Sequence, residues 1–208
     1  MIELIYEYIL TNYENGEPIF LSELPSESKD YLRQEMKKLT DAGKLERLYN
    51  GVYLLPYTTF LGTKGKMSIE KYIEKRFLSA GGRTTGYVTG LQLANAYGFT
   101  TQNPSCYEVC SNEATTKQRK QNVDGSEIVV YQPVAEITEA NKNALQFLDL
   151  MSTIEKYSEV SGQERRRKIK KFIAATNLDF KTVKAYLPLY PDRVYRNIYD
   201  GGFMGELV

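Results

Sequence analysis

Histidine is absent from this chain of 208 residues, and cysteine occurs only twice, as Cys106 and Cys110. A structural zinc site drawing four nitrogen or sulfur ligands from the chain is therefore nearly excluded. The same lack removes the usual base from any serine or cysteine nucleophile. Cys106 and Cys110 fall on one side of an extended SCYEVCS and read as reduced, packed thiols. Long apolar runs are missing as well. No segment approaches the roughly 20 residues of a membrane span, and no charged start followed by an apolar stretch suggests secretion. The expected location is cytoplasmic, with no membrane partner.

Catalytic patterns are equally scarce. A nuclease reading an acid on one strand and Glu-x-Lys on the next finds no such pair: Glu108 is followed by Val-Cys and Glu127 by Ile-Val. The glycine-rich run GGRTTGYVTGLQLANAYGFTTQNP invites a phosphate-cradle reading. Its spacing fits neither the P-loop nor the dinucleotide fingerprint, so turns and close helix packing account for it better. The expectation is a protein without enzymatic activity, metal or cofactor.

What is present is concentrated between Pro25 and Pro56, PSESKDYLRQEMKKLTDAGKLERLYNGVYLLP. From Glu27 to Ala42, Tyr31, Leu32, Met36, Leu39 and Ala42 recur at helical spacing. Asp30, Arg33, Gln34, Lys37 and Asp41 occupy the other face. Pro25 and Ser26 suit a helix start, and Gly43 suits a left-handed stop. LERL and VYLL then flank Tyr49-Asn50-Gly51, and Asn-Gly is a strong hairpin signal. Upstream, IELIYEYILTNYENG places Ile2, Ile5 and Ile9 with Leu4 and Tyr8 on one broad helical face, ending at Asn15-Gly16. PIFL reads as a short extended run. SEL reads as a helical turn opened by Ser22 and stopped by Pro25.

Helix, short strand, short helix, long helix, hairpin is the order of a winged helix-turn-helix, in which the second helix of the motif enters the major groove and the wing lies alongside. The expected fold class is thus α+β, with an N-terminal winged helix-turn-helix over 1–60 and a mixed α/β C-terminal domain over 61–208.

Charge distribution cuts both ways. Residues 1–60 hold 6 Lys and Arg against 10 Asp and Glu, and residues 61–208 hold 21 against 16. A net acidic module is a poor match to phosphate neutralisation. Its positive charge is nevertheless clustered, at Lys29, Arg33, Lys37, Lys38, Lys44 and Arg47. With Gln34, Tyr49 and Asn50 these are the candidate DNA-binding residues, double-stranded DNA being the expected partner. Docking to a protein, with these charges a solvated face, is the alternative.

Beyond Pro56, YTTFLGTKGK is a polar connector leading to a helix near SIEKYIEKRFLSA, with Ile69, Ile73 and Phe77 at four-residue steps. Gly81-Gly82 and Gly86 bracket a turn, and Val88, Leu91, Leu93 and Ala94 suggest a short buried helix ended by Gly98. SCYEVCS and SEIVVYQP are strand-like. Between them NEATTKQRKQNVDG, carrying Lys117, Arg119 and Lys120, forms a long hairpin or an intervening strand. A long helix over ITEANKNALQFLDLMSTIEKYSE breaks near Ser158–Gly162. QERRRKIKKFIAATN follows, where Ile169, Phe172 and Ile173 make a narrow apolar stripe among Arg165, Arg166, Arg167, Lys168, Lys170 and Lys171. That basic run reads as a solvated face, a second nucleic-acid contact or a partner surface. Phe180 to Leu187 forms a shorter helix, and Pro191 opens a last one with Val194, Tyr195 and Ile198 inward.

A winged helix ending in YNGVYLLP, followed by GYVTGLQLANAYGFTTQNP, a strand such as YEVCSN and a Lys/Arg-bearing segment, resembles the AbiEi family of antitoxins from bacterial type IV toxin-antitoxin systems. The resemblance covers about residues 1–135 and is architectural beyond. It implies autorepression of an operon through the N-terminal domain. It also implies a C-terminal domain that opposes a nucleotidyltransferase-like toxin without a stable inhibitory complex. Lys117, Arg119, Lys120, Arg166, Lys170 and Lys171 are then the candidate antitoxin surface; besides protein docking, a winged-helix transcription regulator without a toxin partner is the alternative function.

Overall fold

The computed structural model describes residues 2–207, with the side chains of Ile2 and Glu3 left outside that description. The fold is mixed α/β, and the chain divides into two compact units, Met1–Glu74 and Lys75–Val208.

In the first unit, α1 (Ile2–Asn12) leads to β1 (Ile19–Phe20), a 3-10 turn (Leu21–Glu23), α2 (Lys29–Asp41), β2 (Glu46–Tyr49), β3 (Val52–Leu54) and α3 (Ile69–Ile73). The three strands form an antiparallel sheet of order β1-β3-β2, with Ile19 opposite Tyr53 and Arg47 also opposite Tyr53. Ile5, Ile9, Leu32, Met36, Leu39 and Leu45 close one apolar core. The inward stripe of α1 is narrower than the sequence suggests. Ile5 and Ile9, four residues apart, are buried, whereas Leu4 is 76% exposed and Tyr8 lies at the surface. Each step along a helix rotates the side chain by about 100°, which carries both away from the core. Ile2, placed with them from its spacing, lies outside the described side chains.

The start of α2 also differs from the reading at Pro25-Ser26. Ser28 is the N-cap, its Oγ accepting the Tyr31 backbone N–H at 3.3 Å, while Ser26 Oγ serves the Ser28 backbone. Ala42, assigned inward, is exposed at the C-cap.

The unit boundary lies beyond residue 60 because the polar connector folds back. The Tyr57 hydroxyl donates to the Lys66 carbonyl at 2.9 Å, the Ser68 N–H to the Gly16 carbonyl at 2.7 Å, and Lys64 pairs with Glu46 at 2.7 Å. Lys71 reaches Glu14 at 2.7 Å, and the Phe20 and Tyr72 rings meet at 5.6 Å. These bonds attach 57–74 to the first unit.

The second unit begins within a π-helical stretch, Glu74–Leu78. A small hairpin of β4 (Ser79–Ala80) and β5 (Arg83–Thr84) precedes β6 (Gly86–Val88) and α4 (Gly90–Ala96). Val88 thus ends a strand and does not begin the short helix. Gly86 is required there by close approach: an added Cβ would run into the Phe77 carbonyl oxygen and sit 2.7 Å from that of Cys110. Then come β7 (Tyr107–Ser111), β8 (Gln118–Val123) and β9 (Ser126–Tyr131), so the segment between the two expected strands is itself a strand. The sheet order is β6-β7-β9-β8, with β7 and β9 parallel and the other pairs antiparallel.

α5 (Lys142–Tyr157), α6 (Gly162–Thr176), α7 (Phe180–Tyr186) and α8 (Asp192–Asp200) complete the unit, the break between α5 and α6 falling where it was expected. Pro191 stands just before α8, at its N-cap. Phe99, Leu145, Phe147, Leu148, Met151, Phe172, Val183, Val194 and Ile198 are its fully enclosed core. Both cysteines are free, Cys110 buried with its thiol pushed up to about 12 by burial.

Asp149 on α5 breaks the apolar pattern. Its Oδ2 accepts the Tyr87 hydroxyl at 2.8 Å, and burial pushes its carboxyl up to about 6 against the opposing pull of the Tyr87 and Tyr190 hydroxyls. The folded state therefore holds a proton between pH 3.8 and about 6 that the unfolded chain has released, and stability falls as pH rises through that window. Asp149→Asn keeps an acceptor for Tyr87 and removes the charge. It is expected to raise unfolding free energy by about 1–3 kcal/mol at pH 8 and by little at pH 4. Urea titrations at the two pH values that give equal differences would refute this account.

Candidate nucleic-acid interface

α2 forms because its apolar residues return every three to four positions, which leaves a continuous outward stripe. Leu32, Met36 and Leu39 go into the core, and Arg33, Lys37, Thr40 and Asp41 run along the outside. The hairpin β2–β3 stands beside that stripe. Its tip depends on Gly51, whose φ of +76° lies in the region where a side chain is strained, while Asn50 does not adopt a positive φ. The Gly51 carbonyl accepts the Leu21 N–H at 2.8 Å, fastening the tip to the 3-10 turn.

Between α2 and the hairpin lies a groove of about 370 Å³ lined by Arg33, Lys37, Thr40, Asp41, Arg47, Asn50 and Tyr53, among others. Three cations and one anion therefore share a concave wall within a unit whose overall charge is acidic. Arg47 is pre-arranged at the tip: its Nη2 donates to Asn50 Oδ1 at 2.9 Å and its Nε to the Tyr49 carbonyl at 3.4 Å. Arg33 pairs with Asp30 at 2.7 Å, with both side chains mostly in solvent. Such a pair contributes about 0–1 kcal/mol and is readily exchanged for another anion.

Of the nine sequence-derived contacts, the groove unites Arg33, Lys37, Arg47 and Asn50. The others lie elsewhere. Lys38 is held at 2.7 Å by the buried carboxylate of Glu35, and that hydrogen bond raises its pKa above the usual lysine value. Lys44 sits over the Tyr6 ring, 4.7 Å from its centre. Lys29 and Gln34 are exposed and outside the groove, and Tyr49 contributes its carbonyl to Arg47. Thr40, Asp41 and Tyr53 were missed as lining residues. Residues 33, 37, 40 and 41 follow the i, i+4, i+7, i+8 pattern of one helical face, a signal sufficient to have found the first two. Glu35 was also unforeseen: it is 2% exposed, and its Oε2 has no hydrogen-bond partner.

In the second unit, Lys117 just before β8 and Arg119 and Lys120 on that edge strand are exposed, and Lys120 pairs with Glu127 at 3.1 Å. Arg166 lies over the Phe203 ring at 6.0 Å, while Lys170 and Lys171 project from α6 into solvent. Among the described residues, no hydrogen bond or ion pair joins the β8 group to the α6 group. No helix among the described residues is long and apolar enough to cross a membrane. No protein-family model matches the chain, and comparison with curated proteins finds no match.

Proposed function

We propose that the chain is a DNA-binding antitoxin that represses its own operon, with its first unit acting as a winged helix-turn-helix. The observation that carries this reading is the sheet order β1-β3-β2 with α2 and the β2–β3 hairpin framing a groove of Arg33, Lys37 and Arg47. In this reading the 3-10 turn is the shortened first helix of the motif, α2 enters the major groove and the hairpin is the wing. Arg33 exchanges Asp30 for a base edge, the guanine O6/N7 pair being the chemistry its fork matches best. Lys37 and Arg47 neutralise phosphates on either side. Opposition to a nucleotidyltransferase-like toxin rests on the family resemblance, and the basic residues of β8 and α6 are its candidate surface.

Fluorescence anisotropy of the full chain with the DNA upstream of its own gene, against a scrambled duplex, tests the DNA reading. A preference of about a thousandfold or more at physiological salt is expected. Equal affinity for both duplexes overturns sequence-specific repression. Co-expression of the full chain with the product of the adjacent gene, scored by growth, tests the antitoxin reading, and absence of protection overturns it.

The wing supplies its own prediction. Gly51→Val places a β-branched residue at a positive φ and should cost about 1–2 kcal/mol locally. DNA affinity is expected to fall several-fold with the far-UV circular dichroism unchanged. A stable Gly51→Val protein that binds like the wild type removes the hairpin from the interface.

A further inference from the structure

The second unit contains a cavity of about 290 Å³ between β7, β9 and α5, whose lining includes Glu108, Asp149, Tyr131, Tyr157, Val134 and Lys156. We propose that it is a binding site for a small organic ammonium ion. Two carboxylates face this one space, and every hydrogen bond they accept comes from a neutral donor. Glu108 Oε2 accepts the Leu91 N–H at 3.0 Å and Oε1 the Tyr131 hydroxyl at 2.9 Å, while Asp149 Oδ2 accepts the Tyr87 hydroxyl at 2.8 Å. Carboxylate oxygens accept at more than one site each, so both keep capacity for a further donor.

Lys156 is the cation of the lining, yet its ammonium is directed to the Tyr157 hydroxyl at 3.0 Å and over the Tyr157 ring at 4.6 Å. The charge of Lys156 is nevertheless felt at Glu108, whereas the side chains acting on Asp149 are the neutral hydroxyls of Tyr87 and Tyr190, and buried charge is tolerated when it is paired and hydrogen-bonded. An ammonium group supplies that partner, with three donors for the lone pairs left over. The Tyr131 and Tyr157 rings and the Val134 side chain offer apolar contact to the remainder of the ligand. The volume lies just below the roughly 300–1,000 Å³ usual for small-molecule sites, which limits the guest to a small one.

Protonation gives the site a direction. Burial holds the Asp149 carboxyl up at about 6, so an ammonium ion binds more tightly as pH rises through that value and the charge appears. Glu108 and Cys110 on β7, Tyr131 on β9, Tyr87 on β6, Tyr190, and Lys156 and Tyr157 on α5 are the other titratable groups around Asp149 and the cavity, and Arg193 on α8, a fixed cation, donates to Ser152 Oγ of the lining at 3.1 Å. The tyrosine and cysteine pKa values that shift here shift upward, so those groups stay neutral over the range tested.

The test is an amide NMR titration of the full chain with phenethylamine and its uncharged counterpart 2-phenylethanol. At pH 8 the amine is expected to shift resonances at Glu108, Tyr131 and Asp149–Tyr157 and to bind about tenfold or more tightly than the alcohol. Asp149→Asn should reduce the amine to the affinity of the alcohol. Val134→Trp, at a position 50% exposed on the cavity rim, should weaken both by obstruction. Equal affinity for amine and alcohol, an Asp149→Asn protein with undiminished amine binding, or no shift at these residues with about 10 mM amine each overturns the proposal. Should Asp149→Asn fail to fold, the comparison of amine with alcohol and the Val134→Trp variant still decide it.

Discussion

Reversing the two cations on opposite walls of the groove, Lys37→Glu with Arg47→Glu, is expected to lower affinity for the upstream DNA by about two to three orders of magnitude near 0.1 M salt. Lys37 belongs to α2 and Arg47 to β2, and both line the same concavity. If Lys37 and Arg47 neutralise phosphates as proposed, the double change should also flatten the dependence of log affinity on log salt by about 2. The control is Lys29→Glu with Lys44→Glu, which changes net charge equally. Lys29 lies outside the groove and Lys44 is turned onto Tyr6. Roughly a threefold loss is expected there, from the long-range field alone. Equal losses in the two double variants would mean that affinity follows net charge and that the groove has no special part.

The second large effect concerns stability. Phe172→Ala in α6 is expected to cost about 3–5 kcal/mol, because the ring is fully enclosed and the space it leaves cannot collapse easily. Its ring meets that of Tyr97 at 4.7 Å and that of Phe147 at 6.0 Å, so the loss is felt at α4 and α5 as well. The first unit has a core of its own around Met36 and Leu39. Hydrogen exchange should therefore show faster exchange across α5 and α6, with the amides of α2 holding their protection. Equal loss of protection in α2 would contradict independent cores.

Local signals were the legible ones. The Asn50-Gly51 turn, the inward residues of α2 and the break between α5 and α6 all follow from spacings within a dozen residues. The fold class was legible at the level of mixed α/β. The parallel pairing of β7 with β9 was not, since YEVCS and SEIVVY carry no mark of which strand each will choose. The connector at 57–66 reads as a linker by composition. Its attachment depends on a hydroxyl of Tyr57 and a carbonyl of Gly16, partners that no periodicity reveals. In the groove, Arg33 and Lys37 could be read from one helical face, whereas Tyr53 enters only through the pairing of β3 with both its neighbours. Glu35 falls between Leu32 and Leu39 on the buried face of α2, so its place follows from spacing, whereas its tie to Lys38 three residues on does not.

The placement of β8 outside β9 has a consequence in time. β8 and β9 are joined by the turn at Asp124-Gly125, both residues at positive φ, and their pairing runs from Val123–Ser126 outward to Gln118–Tyr131. Such a hairpin closes over a few residues and can form within about 1–10 μs. β7 cannot join β9 without first spanning the whole of β8, and a parallel pair formed across that detour meets a larger loop-closure cost. The hairpin is thus ready-made when β7 arrives, and β9 is zipped from one side before the other. In a pulse-labelling refolding experiment the amides shared by β8 and β9 should become protected ahead of those between β7 and β9.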